Sequence, residues 1–429
     1  MSRRWPLLGD LPAFQMDSTG FLSRIAREQG DVARFRLGRS EAFLLTHPDC
    51  VREVLVDRAT EFSKGRLMQR ARRLLGDGLL TSEGEAHRLQ RRRIQPVFTR
   101  ERLHSYFAMI PEIGREHCAD WCDGTRVHLA SSMDELAMRI VARALLGVEI
   151  GHDARRLRDA LHLLARWAPL LAAPGGRILE RTRLPILRRF SLAVEGIEAA
   201  IDRQIAAGGK DAPLLAALLH AGSGDPMPGR LLRDEVMTIF LAGHDTTAAA
   251  LSWMWLLLGL HRDAESRLQT ELSSVLDGRS PGPDDLEHLP YATMIVKETL
   301  RLYPPISRIG RRPRHDIDLG TLTLPQDAAV FLSPYVTHRD PRWFADPDEF
   351  RPERWAEQVP ERPRFAWFPF GAGPRSCIGE HFAVGVLVLT LATLAQRWKL
   401  EPATTTLPGR RSLLTLKPRG SMWMNARSR

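Results

Sequence analysis

Ten residues near the end of the chain surround one cysteine with the groups that an iron-bound thiolate requires. They read Phe370-Gly371-Ala372-Gly373-Pro374-Arg375-Ser376-Cys377-Ile378-Gly379. Such a sulfur must stay unprotonated and shielded from water, yet receive hydrogen bonds that tune its electron donation. Glycines let the backbone turn tightly and bring N–H groups close to it. The alternative is a glycine-rich turn with one buried structural cysteine, which is disfavoured because so many positions suit one task.

The neighbours of Cys377 have separate predicted tasks. The apolar run from Phe382 to Trp398 predicts a helix, so the sulfur would lie near a positive helix N-terminus, which favours the thiolate. Phe370 would cover the sulfur. Arg375 is a fixed cation suited to a carboxylate on a bound cofactor.

This stretch resembles the heme-ligand signature of the cytochrome P450 family, F-x-x-G-x-R-x-C-x-G, and every fixed position of the signature is met. The resemblance implies that Cys377 ligates the iron of heme b (iron protoporphyrin IX) and that Phe370 and Gly371 contact this cofactor. It covers essentially the whole chain, because three further motifs follow the order that the family uses.

The first of these motifs interrupts a long apolar helix. The segment from Arg233 to Leu260 has a helical pattern that is apolar except at Ala242-Gly243-His244-Asp245-Thr246-Thr247. An acid beside two hydroxyls is costly there unless it serves a purpose, and threonine hydroxyls can bond back to the preceding turn. Gly243 would also let another backbone approach. Alone, the hexapeptide would also allow an Asp-Thr cap at a helix break.

The hexapeptide meets the family pattern A/G-G-x-D/E-T-T/S. The resemblance implies that Thr246 is the hydrogen-bond partner of dioxygen and that Asp245 is the acid of a proton relay. It also implies that Ala242 and Gly243 lie against the cofactor.

Glu298 and Arg301 lie three residues apart on one face of a predicted helix. An isolated E-x-x-R pair is an ordinary solvated contact worth about 0.2–0.5 kcal/mol. Downstream, Pro352-Glu353-Arg354-Trp355 follows His338-Arg339-Asp340-Pro341. With these pieces in place, the resemblance implies that Glu298, Arg301 and Arg354 form a buried set that holds the cysteine loop. Their role would be structural.

His87 and Arg91 are four residues apart and therefore share a helical face. Both can hydrogen-bond a heme propionate, and the resemblance implies that they do. Many family members have Trp at the position of His87 and many bacterial ones have His, so the donor is retained. A solvated basic face explains the adjacent Arg92 and Arg93 equally well.

Arg311 is placed similarly, and Arg375 completes the predicted set of propionate partners. Arg308 and Arg312 remain open alternatives to Arg311, because a small shift of the alignment would exchange them.

Length and motif order favour one large domain. A chain of 429 residues allows two or three domains at ~150 residues each, but no Gly/Ser/Pro linker separates self-sufficient halves. The motifs must converge on one cofactor. We therefore predict a single, mainly α domain with small β-sheets (α+β), the cytochrome P450 fold, over residues 1–429, enclosing heme and with no fused reductase domain.

Strands are expected where apolar and polar residues alternate, near Ala33 to Leu45, Leu319 to Leu332 and Leu413 to Trp423. Prolines between Pro341 and Pro374 predict an irregular meander before the cysteine loop.

Four cysteines in 429 residues argue against a secreted, disulfide-built protein. Cys118 and Cys122 could meet on a helix. With no second pair or suitably spaced histidines, they are interpreted as free structural thiols rather than metal ligands.

The longest apolar stretches, Ala248 to Leu260 and Ala383 to Ala395, have about 13 residues, short of the ~20 that span a bilayer. The sequence also opens directly on the proline-containing entry that follows a membrane anchor in eukaryotic members. We therefore expect no stable membrane anchor and a monomeric, soluble cytoplasmic protein of bacterial type.

The net charge of +10 allows a nucleic-acid partner. However, many arginines already have predicted tasks, and no nucleic-acid motif with interleaved aromatics accompanies them. The better interpretation is a basic surface that docks an acidic ferredoxin or flavodoxin. That protein and its NAD(P)H-dependent reductase would supply electrons.

The segments that line the substrate pocket in the family are apolar here, which suits a lipophilic substrate such as a terpene, fatty acid or polyketide. Any one of these residues could equally belong to the core. They are Met68, Leu74, Leu75, Leu79, Leu80, Leu163, Leu164, Trp167, Phe240, Ala242, Ile306, Leu413 and Leu414.

The resemblance implies a heme-thiolate monooxygenase that inserts one oxygen atom from O2 into a lipophilic small molecule, by hydroxylation or epoxidation. One alternative is a heme peroxygenase or isomerase that needs no reductase. Such enzymes usually replace the acid and the threonine, so Asp245 and Thr246 disfavour it. The other alternative is a heme-binding sensor or carrier, for which an acid-alcohol pair would be unnecessary.

Overall fold

A computed structural model describes residues 8–65, 68, 69, 71, 72, 76–147, 212–219, 227, 229–320, 322–356, 362–412 and 414–429, and the single residues 195, 199, 202, 203 and 206. The helices of this part of the chain are α1 Leu11–Met16, α2 Ser18–Gln29, α3 Pro48–Arg52, α4 Gly84–Ile94, α5 Arg100–Ala108, α6 Ile110–His117, α7 Leu129–Leu146, α8 Pro213–Leu219, α9 Gly229–Leu260, α10 Arg262–Leu276, α11 Pro290–Leu302, α12 Pro334–Thr337 and α13 Glu380–Ala395.

The strands of the same part of the chain are short. They are β1 Val32–Leu37, β2 Ser40–Leu45, β3 Phe62–Lys64, β4 Arg126–His128, β5 Ile309–Pro313, β6 Ile317–Asp318, β7 Thr323–Leu324, β8 Ala329–Leu332, β9 Trp398–Pro402, β10 Arg410–Ser412, β11 Leu416–Pro418 and β12 Trp423–Ser428. The fold is therefore mainly helical with small sheets, as the sequence predicts.

Contacts divide the chain into two compact units. The first unit comprises the described residues of Met1–Gln69, Lys297–Cys377 and Arg410–Lys417, and the second comprises those of Arg70–Val296, Ile378–Gly409 and Pro418–Arg429. The single domain expected over residues 1–429 stays a prediction.

The first unit is built on a five-stranded sheet with the order β1-β2-β8-β5-β3. β2 and β8 are parallel, and the other neighbours are antiparallel. Side chains alternate between the two faces of a strand. Ala42 and Leu44 of β2 accordingly pack with Leu22 of α2, whereas Phe43 and Leu45 join a separate apolar cluster. A slip of one residue would exchange the faces, so this pattern fixes the register.

The second unit is built around α9, whose 32 residues extend about 48 Å. From Ala248 to Leu258 every side chain of α9 is buried, as expected for a helix that is apolar on all sides. α9 packs against α7, α10 and α13. The strands β4, β12 and β9 form an antiparallel sheet beside α9.

Both long helices predicted from the sequence are present, but their first or last residues differ from the predicted ones. The helix predicted from Arg233 is α9, which begins at Gly229. The helix predicted from Phe382 to Trp398 is α13, but it ends at Ala395. Trp398 instead begins β9, where it pairs with Ser428.

The strand predictions are confirmed in part. The alternating segment near residues 33–45 forms β1 and β2, and the segment near 319–332 contains β7 and β8. The third segment contains β11, whereas β12 continues from Trp423 to Ser428. Between 341 and 374 the described residues form turns and short 3₁₀ segments, in agreement with the predicted meander.

Within the described residues, no helix combines the length and the apolar character needed to cross a membrane.

Candidate active site

The cysteine loop of the first unit is closed by backbone hydrogen bonds. The N–H of Cys377 donates to the carbonyl of Phe370 at 2.8 Å, and the N–H of Gly371 donates to the carbonyl of Phe368 at 3.0 Å. Gly371 and Gly373 have φ angles of +71° and +68°, which glycine adopts without strain. The glycines therefore serve the turn, as the sequence indicates.

Gly373 also permits a close approach to the preceding part of the same unit. A Cβ atom on Gly373 would lie 1.9 Å from the carbonyl oxygen of Leu55. Leu55 belongs to a π-helical turn, Glu53–Asp57, that directly follows α3. The loop that carries Cys377 is thus seated on this turn through a residue without a side chain.

Arg375 fixes the same loop to the backbone. Its Nη1 atom donates to the carbonyl of Ala59 at 2.8 Å, and Nη2 donates to the carbonyl of Phe62 at 2.9 Å. These two bonds hold the guanidinium beside the cysteine loop. Its predicted contact with a cofactor carboxylate stays a prediction.

Arg311 is buried on β5, where it pairs with Lys64 of β3 and Val330 of β8. Its neighbour Arg312 points to the opposite side of the strand, because successive side chains alternate. The Arg312 guanidinium lies 2.9 Å from the carboxylate of Asp327.

Arg308 is engaged elsewhere in the first unit. Its Nη1 atom donates to the hydroxyls of Ser18 at 2.9 Å and Ser412 at 2.8 Å, and burial lowers its pKa to about 10. Arg311 likewise donates through Nη1 to the carbonyl of Gly310 at 3.0 Å, so the choice of Arg311 among the three candidates for the propionate stays a prediction.

The set formed by Glu298, Arg301 and Arg354 is buried as predicted. The Glu298 carboxylate accepts from Arg301 Nε at 2.8 Å and from Arg354 Nε at 2.8 Å. Burial opposes ionisation of Glu298, but the two guanidinium groups outweigh it and hold the pKa of Glu298 below its usual range. The sequence did not predict a further donor, Trp355 Nε1, at 2.9 Å.

His338 links this set to the cysteine loop and was not predicted. It is fully buried. Burial, followed by the charge of Arg301, lowers its pKa well below the usual value, so the ring is neutral. The H-R-D-P run shows where His338 lies, but nothing in its spacing identifies the partners.

In the second unit, His87 and Arg91 lie on α4, one turn apart. His87 is buried, whereas Arg91 is half-buried and Arg92 is exposed. The two predicted donors thus share the covered side of the helix.

The polar hexapeptide lies in the middle of α9. The Thr246 hydroxyl donates to the carbonyl of Ala242 at 2.7 Å. A hydroxyl has one proton. In this arrangement the Thr246 oxygen can only accept a further hydrogen bond, and it must release Ala242 before it can donate one elsewhere.

At Gly243, α9 packs closely against α7. A Cβ atom on Gly243 would lie 3.2 Å from Val141 Cγ2, so the close neighbour is a side chain rather than the expected backbone. The adjacent His244 is also directed toward α7, and its Nε2 atom lies 3.9 Å from the carboxylate of Asp134. Residues two apart on a helix point in nearly opposite directions, so His244 lies on the side of α9 opposite Thr246.

The residues present fit a heme. A loop with one accessible thiol offers a single soft ligand, which suits an iron whose equatorial ligands come from the porphyrin. The predicted donors for the carboxylates are arginines and a histidine, and arginine's planar fork matches a carboxylate. Cys377, Phe370, Gly371, Arg311 and Arg375 belong to the first unit, and His87, Arg91, Ala242, Gly243, Asp245 and Thr246 belong to the second.

Comparisons with known proteins agree with this chemistry. Residues 1–423 match the sequence model of the cytochrome P450 family. The chain is 35% identical to cyclooctat-9-en-7-ol 5-monooxygenase of Streptomyces melanosporofaciens, across 94% of this chain and 89% of that protein. It is 34% identical to cyclooctatin synthase of the same organism, across 98% and 92% of the two chains. Pentalenene oxygenase of Streptomyces avermitilis is 32% identical, across 94% and 92%.

The chain belongs to the cytochrome P450 family. It is a monooxygenase whose cofactor is heme iron. It therefore uses O2, electrons from a redox partner and a lipophilic substrate.

Proposed function

We propose that this monooxygenase oxygenates a terpenoid, with Cys377 as the heme ligand and electrons from a separate ferredoxin or flavodoxin. The observation that carries the substrate class is the likeness over nearly the full length to proteins named for the oxygenation of cyclooctat-9-en-7-ol and pentalenene. Both compounds are terpenoids, and such substrates are mostly hydrocarbon.

The heme, when bound, supplies the activation of O2 for insertion of one oxygen atom into a C–H or C=C bond. The chain itself contributes the Cys377 thiolate as the iron ligand. The loop that carries this thiolate packs against the turn that contains Leu55. His87, Arg91, Arg311 and Arg375 donate to the heme carboxylates in this proposal, so they orient the cofactor.

Protons are handled by the α9 hexapeptide. Asp245 is half-buried and adjacent to Thr246, and a carboxyl group can pass a proton inward. The Thr246 hydroxyl, held by Ala242, accepts a hydrogen bond from a proton-bearing oxygen or, after rotation, donates one. This pair supports a monooxygenase rather than a peroxide-driven enzyme.

The apolar character of the predicted pocket residues supports a lipophilic substrate. Leu80, Ile306 and Leu414 each expose 38% of their surface, so their side chains are accessible to a bound molecule. Phe240 is only 1% exposed and belongs to the core of the second unit. Leu74, Leu75, Leu163, Leu164, Trp167 and Leu413 lie outside the described residues.

A ferredoxin or flavodoxin partner is supported by the net charge of +10, which attracts an acidic protein. The expected location in the cytoplasm and the expected monomer stay predictions.

Two measurements test the proposal. The ferrous carbon monoxide complex should show the red-shifted Soret band of thiolate ligation, which Cys377→His should lose. Cys122→Ser is the matched control, because Cys122 is also exposed. An imidazole-type spectrum in the unmutated protein would refute thiolate ligation.

The second measurement is turnover of pentalenene and cyclooctat-9-en-7-ol with NADH, a surrogate ferredoxin and ferredoxin reductase. We expect an oxygenated product of at least one of them, with incorporation of ¹⁸O from ¹⁸O2. Product from peroxide alone would favour a peroxygenase, and no product under either condition would favour a sensor or carrier.

A further inference from the structure

Two adjacent carboxylates on α9 hold the loop that precedes α4. This loop, Gly76–Ser82, donates two backbone N–H groups to them. The N–H of Asp77 donates to Asp234 Oδ2 at 2.8 Å, and the N–H of Leu79 donates to Glu235 Oε2 at 2.8 Å. The loop and α9 lie in the same unit.

The loop is in direct contact with α9 at two glycines, where no space remains for a side chain. A Cβ atom on Gly78 would lie 2.3 Å from Thr238 Oγ1 and 2.6 Å from the carbonyl oxygen of Asp234. A Cβ atom on Gly76 would lie 2.2 Å from the Asp234 carboxylate. A side chain at position 78 would therefore push the loop away from the helix backbone, whereas one at position 76 would displace the Asp234 carboxylate.

The loop is also tied to itself and to α4. The Thr81 hydroxyl donates to the carbonyl of Gly76 at 2.7 Å, and Gln90 Nε2 donates to the carbonyl of Asp77 at 2.7 Å. Gln90 lies on the helix that carries His87. A shift of the loop would therefore be transmitted to α4.

Glu235 is fully buried, which makes its carboxylate costly unless a partner requires it. Packing alone would be served by an apolar residue. A carboxyl oxygen that accepts a backbone N–H instead fixes both distance and direction, because a hydrogen bond requires a short and nearly straight geometry.

Glu235 also lies on the face of α9 that carries the proposed oxygen chemistry. Ala242 and Thr246 follow it by seven and eleven residues, which at about 100° per residue places all three within about 20° of one direction. The residues it holds in place, Leu79 and its neighbour Leu80, therefore lie along the same helical face, about two turns away.

We infer that Glu235, assisted by Asp234, is a positioning residue that determines how large a molecule the enzyme accepts. By fixing the Gly76–Ser82 loop on α9, it places Leu80, the exposed neighbour of the buried Leu79, as one wall of the substrate pocket. The inference rests on the proposed function, in which Leu80 faces the substrate. Glu235 acts through this loop rather than by contact with substrate or heme.

Hydrogen exchange tests the contact itself. In Glu235→Ala the amides of residues 76–82 should exchange about tenfold faster than in the unmutated protein, because the loop loses its acceptor. Glu235→Gln keeps an acceptor oxygen and should remain close to the unmutated protein. Asp263→Ala removes an exposed acid on the neighbouring helix α10 and is the matched control.

Azoles of increasing size test the role in selectivity, since their binding to the heme protein is followed by absorbance. Imidazole lacks the bulky aryl groups of clotrimazole, so we expect its Kd to be the same in every variant. The Kd of the bulky clotrimazole should change about tenfold in Glu235→Ala. Gly78→Ala should give the same pattern without altering either carboxylate, and it carries the test if Glu235→Ala does not fold.

Equal changes for imidazole and clotrimazole, or no change for either, would overturn the inference, as would unaltered exchange of residues 76–82 in both variants. A failure of the proposed function is distinguishable. In that case pentalenene and cyclooctat-9-en-7-ol would give no oxygenated product, whereas azole binding and hydrogen exchange, which do not depend on turnover, would still report on the loop contact.

Discussion

His338 accepts a hydrogen bond from the backbone N–H of Phe368 through Nε2 at 2.9 Å, while its Nδ1 atom lies 3.3 Å from the carbonyl oxygen of Arg301. One neutral ring can make both contacts when Nδ1 carries the proton. Phe368 in turn accepts from the N–H of Gly371 at the start of the cysteine loop. His338 is therefore a direct connection between the buried Glu298 set and the loop that carries Cys377.

Replacement of His338 by phenylalanine should weaken the loop while keeping a ring of similar shape beside Phe368. The buried N–H of Phe368 would lose its acceptor, which costs about 1–3 kcal/mol. We expect a lower free energy of unfolding in denaturant and less heme per chain. If His338→Phe and the unmutated protein had equal heme content and equal unfolding free energy, the hydrogen bond from Phe368 to His338 would not contribute to stability.

The neutral state of His338 predicts a specific pH dependence. Its folded-state pKa lies below the unfolded value, so the unfolded chain binds the extra proton first. The stability contribution is complete above the unfolded pKa of about 6.5 and is lost as pH falls toward the folded value, by at most ~1.4 kcal/mol per pH unit.

The measurement is the free energy of unfolding between pH 7 and pH 5 for the unmutated protein and for His338→Gln, which cannot titrate. Burial lowers the pKa of His117 to about 4 as well, so only the difference between the two slopes reports on His338. We expect the unmutated protein to have the steeper slope. Parallel slopes would contradict the assignment.

Removal of the Glu298 charge should be far more damaging than removal of a surface charge. Glu298→Gln leaves the guanidinium groups of Arg301 and Arg354 without their buried counter-ion, which costs about 3–5 kcal/mol. Glu287→Gln is the control, because Glu287 forms an exposed ion pair with Arg100, and such pairs contribute about 0–1 kcal/mol. Similar unfolding free energies for the two variants would show that the buried Glu298 set stabilises the fold no more than an exposed ion pair does.

The sequence predicted those elements whose pattern is long. The apolar run of α9 was sufficient to predict a helix, and the alternation of apolar and polar residues in β1 and β2 was sufficient to predict strands. By contrast β3 and β4 have three residues each, too few to show a period, and their strand conformation depends on pairing with β5 and β12.

The same limit applies to the site. Cys377, Glu298 and Arg301 lie in motifs, so the sequence points to them. His338 and Glu235 were missed because their partners are backbone N–H groups, 30 and 156 residues away in sequence. A backbone donor carries no signal of residue type, so only the fold reveals these contacts.

Gly373 should tolerate alanine much less than Gly371 does. Both have a positive φ, so both substitutions cost about 1–2 kcal/mol of backbone strain. At Gly371 the nearest atom to a new Cβ is Ile309 Cδ1 at 3.7 Å, an ordinary contact, whereas at Gly373 the new Cβ would overlap the carbonyl oxygen of Leu55 at 1.9 Å. We expect Gly373→Ala to lose bound heme and to unfold at a lower temperature than Gly371→Ala. The reverse order would mean that the loop is not seated on the turn containing Leu55.

Thr246→Ala should separate electron consumption from product formation. The Thr246 hydroxyl is held by the carbonyl of Ala242, and its loss removes a hydrogen-bond partner for dioxygen without affecting the cysteine loop. The carbon monoxide spectrum should be unchanged, while less product and more hydrogen peroxide form per NADH oxidised. Thr270→Ala is the matched control, because the Thr270 hydroxyl makes the same type of bond, to Ser266 on α10.

Asp245→Asn completes this test, because it keeps the shape of the side chain and removes the group that titrates. If Asp245 passes protons toward Thr246, the rate of NADH oxidation should fall by about 10²–10⁴-fold, the range typical of a lost general acid. Pre-steady-state and steady-state rates would be compared in H2O and D2O, since a proton step that has become limiting should show a larger solvent isotope effect. Unchanged coupling in Thr246→Ala together with an unchanged rate in Asp245→Asn would leave the hexapeptide a purely structural feature of α9, and the proton path would then have to involve other groups.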